Sequence, residues 1–270
     1  MTFIEKILTA QRSRKSLLCI GLDTDINKIP EHLRSSLDAL LNFNKAIIEA
    51  TSDLACAYKI NAAFYEYTGE AGWSTMQETV KAIPSGILSI GDAKRGDIGN
   101  SSSYYAKAFY DDLGFDAVTV APYMGRDSVE PFLSSEDHGI FLLALTSNAG
   151  AQDFQYLDVG GMPLYQRVVE KALTWNAKKN IGFVAGATQG SQLRDVRAAA
   201  GDAPLLIPGV GAQGGSVEDA VRFGVDERGE RAIINASRSI LYASSGKDFA
   251  EAAHAEATRL RDEMNQYRQE

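Results

Sequence analysis

Short apolar runs recur eight times along the 270 residues, each followed by a longer stretch of helical character. Residues 17–23 (Leu-Leu-Cys-Ile-Gly-Leu-Asp), 54–61, 86–92, 117–121, 140–146, 180–186, 205–209 and 231–236 are predicted strands. Most are continuously apolar instead of alternating, as expected where a parallel sheet buries both of its faces. Between them, 36–52 sets Leu37, Leu40, Leu41, Ile47 and Ile48 at helical spacing, and 161–177 does the same with Met162, Leu164, Tyr165, Val168, Val169 and Leu173. Eight strand-then-helix units fill nearly the whole chain, and no Pro/Ser-rich linker divides it. The expectation is an α/β fold, a single (β/α)8 TIM barrel forming one catalytic domain over 1–270, in preference to a doubly wound open sheet.

Composition narrows the partners. The chain carries 27 Lys and Arg against 35 Asp and Glu, a net charge of −8, where a nucleic-acid binder would want a basic stripe. No apolar stretch approaches the ~20 residues that span a bilayer. The start, Met1-Thr2-Phe3-Ile4-Glu5-Lys6, lacks the basic and then apolar pattern of a signal peptide, so a cytoplasmic protein is expected. Cys19 and Cys56 sit inside apolar runs, and His32, His138 and His254 are scattered without metal-ligand spacing. No G-x-S-x-G, H-E-x-x-H or Walker A sequence is present, so neither a hydrolase triad nor a metal site is expected.

In a barrel of this kind the chemistry gathers at the C-terminal ends of the strands. Those ends read Asp23, Lys59, Asp92-Ala93-Lys94, Pro122-Tyr123, Thr146-Ser147-Asn148, Ala187-Thr188, Gly209-Val210-Gly211 and Ser237-Arg238. A charged segment at random is usually a solvated loop, but Asp92 and Lys94 stand two apart on a strand end and are expected to share a face. An ammonium in the barrel mouth needs carboxylates to stay charged, and Asp92 and Asp97 can supply them. Lys59, alone a snorkelling strand-end residue, extends the series to Lys–Asp–Lys–Asp. The tripeptide Arg95-Gly96-Asp97 also spells an integrin-type motif, set aside for want of a secretion signal.

The segment Gly209-Val210-Gly211-Ala212-Gln213-Gly214 fits G-x-G-x-x-G. A dinucleotide site fares badly here, because the motif lies in the seventh unit and the next strand closes on Ser237-Arg238 where an acid is needed. A plain glycine turn leaves Gln213 and Arg238 without a task. Barrels often bind phosphate between the loops after strands seven and eight, through backbone N–H groups and an arginine, and that reading uses all of these residues.

The D-x-K-x-x-D-I pattern of Asp92, Lys94, Asp97 and Ile98 resembles the signature of the orotidine 5′-phosphate decarboxylase family. Leu22-Asp23, Tyr58-Lys59, Thr146-Ser147-Asn148-Ala149-Gly150, Pro208 to Gly215 and Arg238-Ser239-Ile240 fit the same family in order, and segment 97–103 with Ser147-Asn148 and Ala236-Ser237-Arg238 resembles its longer bacterial branch. Ser237 stands where some members have glycine. The resemblance implies cofactor-independent decarboxylation of orotidine 5′-monophosphate to UMP, the last step of de novo pyrimidine nucleotide biosynthesis. It assigns Lys94 to the C6 carbanion and its protonation, and Asp92 to the surroundings of the departing carboxylate. Lys59 and Asp23 would hold the ribose hydroxyls, Ser147 the pyrimidine, and Gln213 with Arg238 the phosphate. Asp97 and Ile98 would reach the partner subunit's site, which implies an obligate homodimer. Two rivals remain open at this point: a magnesium-dependent sugar-phosphate relative on the same barrel, and a non-catalytic phosphometabolite-binding barrel.

Overall fold

Eight parallel strands close into a barrel in chain order, each paired with its sequence neighbours and the last with the first. The structure is a computed structural model describing residues 1–186, 190–210 and 215–268. The strands are β1 (Leu18–Gly21), β2 (Ala57–Asn61), β3 (Leu88–Arg95), β4 (Ala117–Val120), β5 (Gly139–Leu145), β6 (Ile181–Ala185), β7 (Leu205–Pro208) and β8 (Ala232–Ala236). All eight fall on the predicted runs, with β5 starting one residue early at Gly139 and β3 running on to Arg95 beyond the predicted end at residue 92.

The strand sequences are apolar throughout because each strand is covered twice. Ile20, Tyr58, Val118, Leu142, Phe183 and Ile207 pack outward under the helices. Cys19, Ala57, Ile90, Ala117, Phe141, Leu206 and Ile233 fill the barrel interior. Burial of the interior thiols pushes Cys56 up to about 12 and Cys19 upward as well, so both remain protonated apolar fillers.

The N-terminal segment also forms a helix, Phe3–Arg14, which the strand-and-helix count does not anticipate. Thr2 and Glu5 close a capping box around its first turn. Phe3, Ile7 and Ala10 then join the interior cluster, so this helix plugs the N-terminal mouth of the barrel. Gly139 makes room for it, since a Cβ there would lie 2.3 Å from the Phe3 ring. Lys6 to Asp116 and Arg12 to Glu230, each 2.7 Å, pin the helix to the barrel floor. With that end closed by the helix, the opposite rim is the open one.

Two helices are shorter than their apolar periodicity suggests. The first runs Ala39–Thr51, leaving Leu37 fully exposed in the preceding turn, and the second runs Leu164–Leu173, starting directly after Pro163. Pro163 is extended, with ψ 145, and the helix begins on the residue after it.

Candidate active site

The rim begins with β1. Gly21 carries no side chain because a Cβ there would sit 2.0 Å from the hydroxyl of Ser237, just past the end of neighbouring β8. Leu22 still follows the sheet, donating its N–H to the Lys59 carbonyl at 2.7 Å. Asp23 comes next, outside any strand, and lines the rim cavity with its carboxylate toward Lys59.

Lys59 lies in β2, in register with Gly21 on one side and Ile90 on the other. Its Nζ stands 3.4 Å from Asp23 Oδ1 and 2.9 Å from Asp92 Oδ2. The other oxygen, Asp92 Oδ1, accepts from Lys94 Nζ at 2.6 Å. The row therefore alternates Asp23, Lys59, Asp92, Lys94, and its two acids balance its two bases. Burial by itself would lower the Lys59 pKa, but Asp23 and Asp92 outweigh it and hold the ammonium above its ordinary value. Burial would raise Asp92 in the same way, and Lys59 with Lys94 drives it well below the carboxylate range. Both groups are fully ionised at neutral pH.

Lys94 reaches the row by a route that differs from simple strand alternation. Pairing of β3 with β4 runs Gly91 to Val118 and resumes at Arg95 to Val120, so Asp92, Ala93 and Lys94 together face Thr119 alone. Such a bulge re-aims side chains. Lys94 adopts φ 50, a left-handed conformation that costs a non-glycine residue about 1 kcal/mol or more. Thr119 holds it there: its hydroxyl accepts from the Lys94 N–H at 2.9 Å and donates to Asp92 Oδ1 at 3.0 Å. Beyond the bulge, Arg95 pairs with Glu66 and lies over the Tyr105 and Phe109 rings, 5.3 Å from each centroid. The arginine of the integrin-like tripeptide is thus an anchor for the bulge. The row grades from inside to outside, with the Lys59 side chain 5% exposed and that of Lys94 49%.

A cavity of about 180 Å³ opens beside the row, bounded by Asp23, Lys59 and Asp92 on one side and by Gly209, Ser237 and Arg238 on the other. Arg238 begins the short helix Arg238–Leu241 after β8 and is exposed, and among the described residues its guanidinium meets no carboxylate. Gln213 and the middle of the glycine loop lie outside the described residues, as do Ala187 and Thr188. The two ends of that loop are tied, Gly215 N–H to the Gly209 carbonyl at 3.2 Å. Ser147 follows β5 on the same rim, close against Gly186 after β6, and does not line the cavity. A larger groove of about 890 Å³ lies between Pro122–Arg126 and the helix Leu164–Leu173, and none of the charged row lines it.

Asp97 does not join the row within its own chain. The second carboxylate for Lys94 was expected there, but Asp97 Oδ1 accepts only from the following Ile98 N–H, at 2.8 Å, and forms no ion pair among the described residues. Ile98 is 61% exposed. β3 continues to Arg95 through the bulge, so Asp97 follows the strand instead of ending on its rim beside Asp92.

Three site residues escape the sequence reading. Thr119 looks like any β-branched strand residue. Asn61 and Asn235 line the cavity, and Asn235 donates to the Ser237 hydroxyl at 3.2 Å. A lone asparagine in Ile-Ile-Asn-Ala was the available signal, because a buried amide in an apolar strand needs a partner.

Fold and site together define a (β/α)8 barrel whose floor is apolar and whose C-terminal rim carries a neutralised row of acids and lysines beside a hollow between β7 and β8. Residues 16–253 match the orotidine 5′-phosphate decarboxylase / HUMPS family, and the chain belongs to it. It is 50% identical over 254 residues to the orotidine 5′-phosphate decarboxylase of Flavobacterium johnsoniae, covering 93% of each chain. A Dehalococcoides mccartyi relative of the same name is 48% identical and matches 99% of each chain. Among solved structures, the OMP decarboxylase of Leishmania donovani superposes with a TM-score of 0.88 at 37% identity, covering 99% of both chains.

Proposed function

We propose that this protein is a single catalytic domain that decarboxylates orotidine 5′-monophosphate to UMP in the cytoplasm, completing de novo pyrimidine nucleotide synthesis without a cofactor. The observation that carries the reading is the alternating row at 3.4, 2.9 and 2.6 Å, because a reaction through an unstabilised carbanion is served by fixed charge. The bond from C6 to the carboxylate breaks, CO2 departs, and the electron pair stays on C6. Lys94, the exposed end of the row, stabilises that pair and gives C6 a proton, then regains one from water. Asp92 faces the departing carboxylate and keeps Lys94 aimed, with Thr119 fixing both.

Asp23 and Lys59 take the ribose hydroxyls at one end of the cavity, and Arg238 with Gln213 takes the phosphate at the other. Ser147 contacts the pyrimidine. Binding energy collected at the phosphate is spent at C6, where the substrate offers little to grip. Asp97, which forms no ion pair among the described residues, and the exposed Ile98 enter the partner's site in a homodimer. A divalent cation bridging Asp23 and Asp92 would have to displace the Lys59 ammonium, which favours decarboxylation over the magnesium-dependent chemistry of sugar-phosphate relatives. No helix among the described residues is long and apolar enough to cross a membrane.

The test is conversion of orotidine 5′-monophosphate followed by ultraviolet absorbance, with and without EDTA. Equal turnover in both supports the reading. No turnover, or turnover abolished by EDTA, overturns it.

A further inference from the structure

Asp23 stands outside β1, and no ladder hydrogen bond fixes it, yet its carboxylate must hold a set distance from Lys59. A buried polar cluster grips the chain on both sides of it. Tyr65 Oη donates to the Leu22 carbonyl at 2.9 Å. The Thr24 hydroxyl donates to Asn44 Oδ1 at 2.7 Å, and Asn44 Nδ2 donates to Tyr65 Oη at 2.8 Å. Asn44 Nδ2 also lies 3.2 Å from the Thr79 hydroxyl, whose own proton goes to the Thr75 carbonyl at 2.7 Å. Every donor then has one acceptor, and the loop from Leu22 through Tyr65 and Asn44 back to Thr24 is closed around Asp23. Thr24, Asn44, Tyr65 and Thr79 are all buried, so no water competes for these bonds. From the other side, Tyr242 Oη donates to the Asp23 carbonyl at 3.3 Å and accepts from the Asp25 N–H at 2.9 Å.

We propose that Tyr65 and Tyr242, with Asn44 behind Tyr65, are positioning residues for the reaction, holding the backbone of Asp23 so that its carboxylate meets both Lys59 and the substrate. The proposal rests on the assignment of Asp23 to the ribose hydroxyls. Among the described residues none of the three side chains touches the Asp23 carboxylate; Tyr65 and Tyr242 bond the backbone beside it, so an effect on turnover that disappears with the carboxylate is one transmitted through that backbone. Helix packing alone would not produce that dependence. The helices Ala39–Thr51, Ala63–Glu66 and Glu70–Lys81 could be joined by apolar contacts, and a cluster that ends on Leu22 and Thr24 serves Asp23 in particular.

Tyr65→Phe and Tyr242→Phe each delete one oxygen, and Tyr242 is half-buried, so at least that variant folds. Each is made in the native chain and in Asp23→Ala, and kcat and KM for orotidine 5′-monophosphate are measured. In the native chain each should lose roughly ten- to a hundredfold in kcat/KM, split between kcat and KM as the loss in Asp23→Ala is split. In the Asp23→Ala background each should change kcat/KM by no more than about twofold. Full losses retained in that background would overturn the proposal, as would native kcat/KM in both tyrosine variants with only a lowered Tm. An Asp23→Ala variant as active as the native protein would overturn the ribose assignment and the proposal with it.

Discussion

Replacing Lys59 by Met keeps the buried stem and removes the ammonium that, among the described residues, is the sole cation bonded to Asp23. Asp92 survives the change, because Lys94 at 2.6 Å and the Thr119 hydroxyl remain. Asp23 is left beside the cavity with no counter-charge. Removing one partner of a buried ion pair costs about 3–5 kcal/mol, mostly the penalty of the stranded charge. The Asp23 side chain is 20% exposed, so water recovers part of this and the low end, about 3 kcal/mol, applies. For a chain of this size that corresponds to a Tm lower by roughly 6–12 °C. Thermal and urea unfolding at one fixed protomer concentration measure it. Asp23→Asn added to Lys59→Met removes the stranded charge and should restore most of the loss. A Lys59→Met protein as stable as the native one, or a double variant no better than the single, would refute the reasoning.

Arg238→Ala should lower kcat/KM for the phosphorylated substrate by at least about tenfold while leaving orotidine, which lacks the phosphate, nearly unaffected; equal losses on both substrates would remove Arg238 from the phosphate. Lys94→Ala and Asp97→Ala should each be nearly inactive alone, and after joint unfolding and refolding in equal amounts should recover about a quarter of native activity, since half the dimers are mixed and half their sites whole. No recovery despite confirmed subunit exchange would place Asp97 in its own chain's site. Asp92, depressed below its ordinary 3.8, contributes stability that is present above that pH and is lost as pH falls through its lower folded value. Lys59, raised above 10.5, contributes stability that is complete below that pH and lost only as pH rises through its higher folded value. The stability gap between the native protein and Asp92→Asn should therefore stay constant from about pH 5 to 9 in urea titrations; a gap that closes between pH 5 and 7 would show Asp92 taking up a proton near neutrality.

The barrel was legible because burial on both faces leaves every strand apolar, a pattern that helices and loops do not copy. The plugging helix was less so, although Thr2 and Glu5 mark its start, because a single extra helix adds no period to the series. At the site, Asp23, Lys59, Asp92, Lys94 and Arg238 could be placed from strand ends alone. The bulge could not, since nothing in Asp-Ala-Lys announces that three residues will face Thr119, and with it went the role of Thr119. Asn44, Tyr65 and Tyr242 act on Asp23 from distant segments, a relation that only the packed chain displays.

On the proposed reading Lys94, held in a strained bulge at the end of a neutralised charged row, protonates C6 of orotidine 5′-monophosphate. Turnover of that substrate by Lys94→Ala, set against the native protein, tests it most directly. Loss of both charge stabilisation and the proton donor should lower kcat at least about ten-thousandfold, with UMP still bound. A folded Lys94→Ala protein that turns over within tenfold of native would remove Lys94 from the proton transfer.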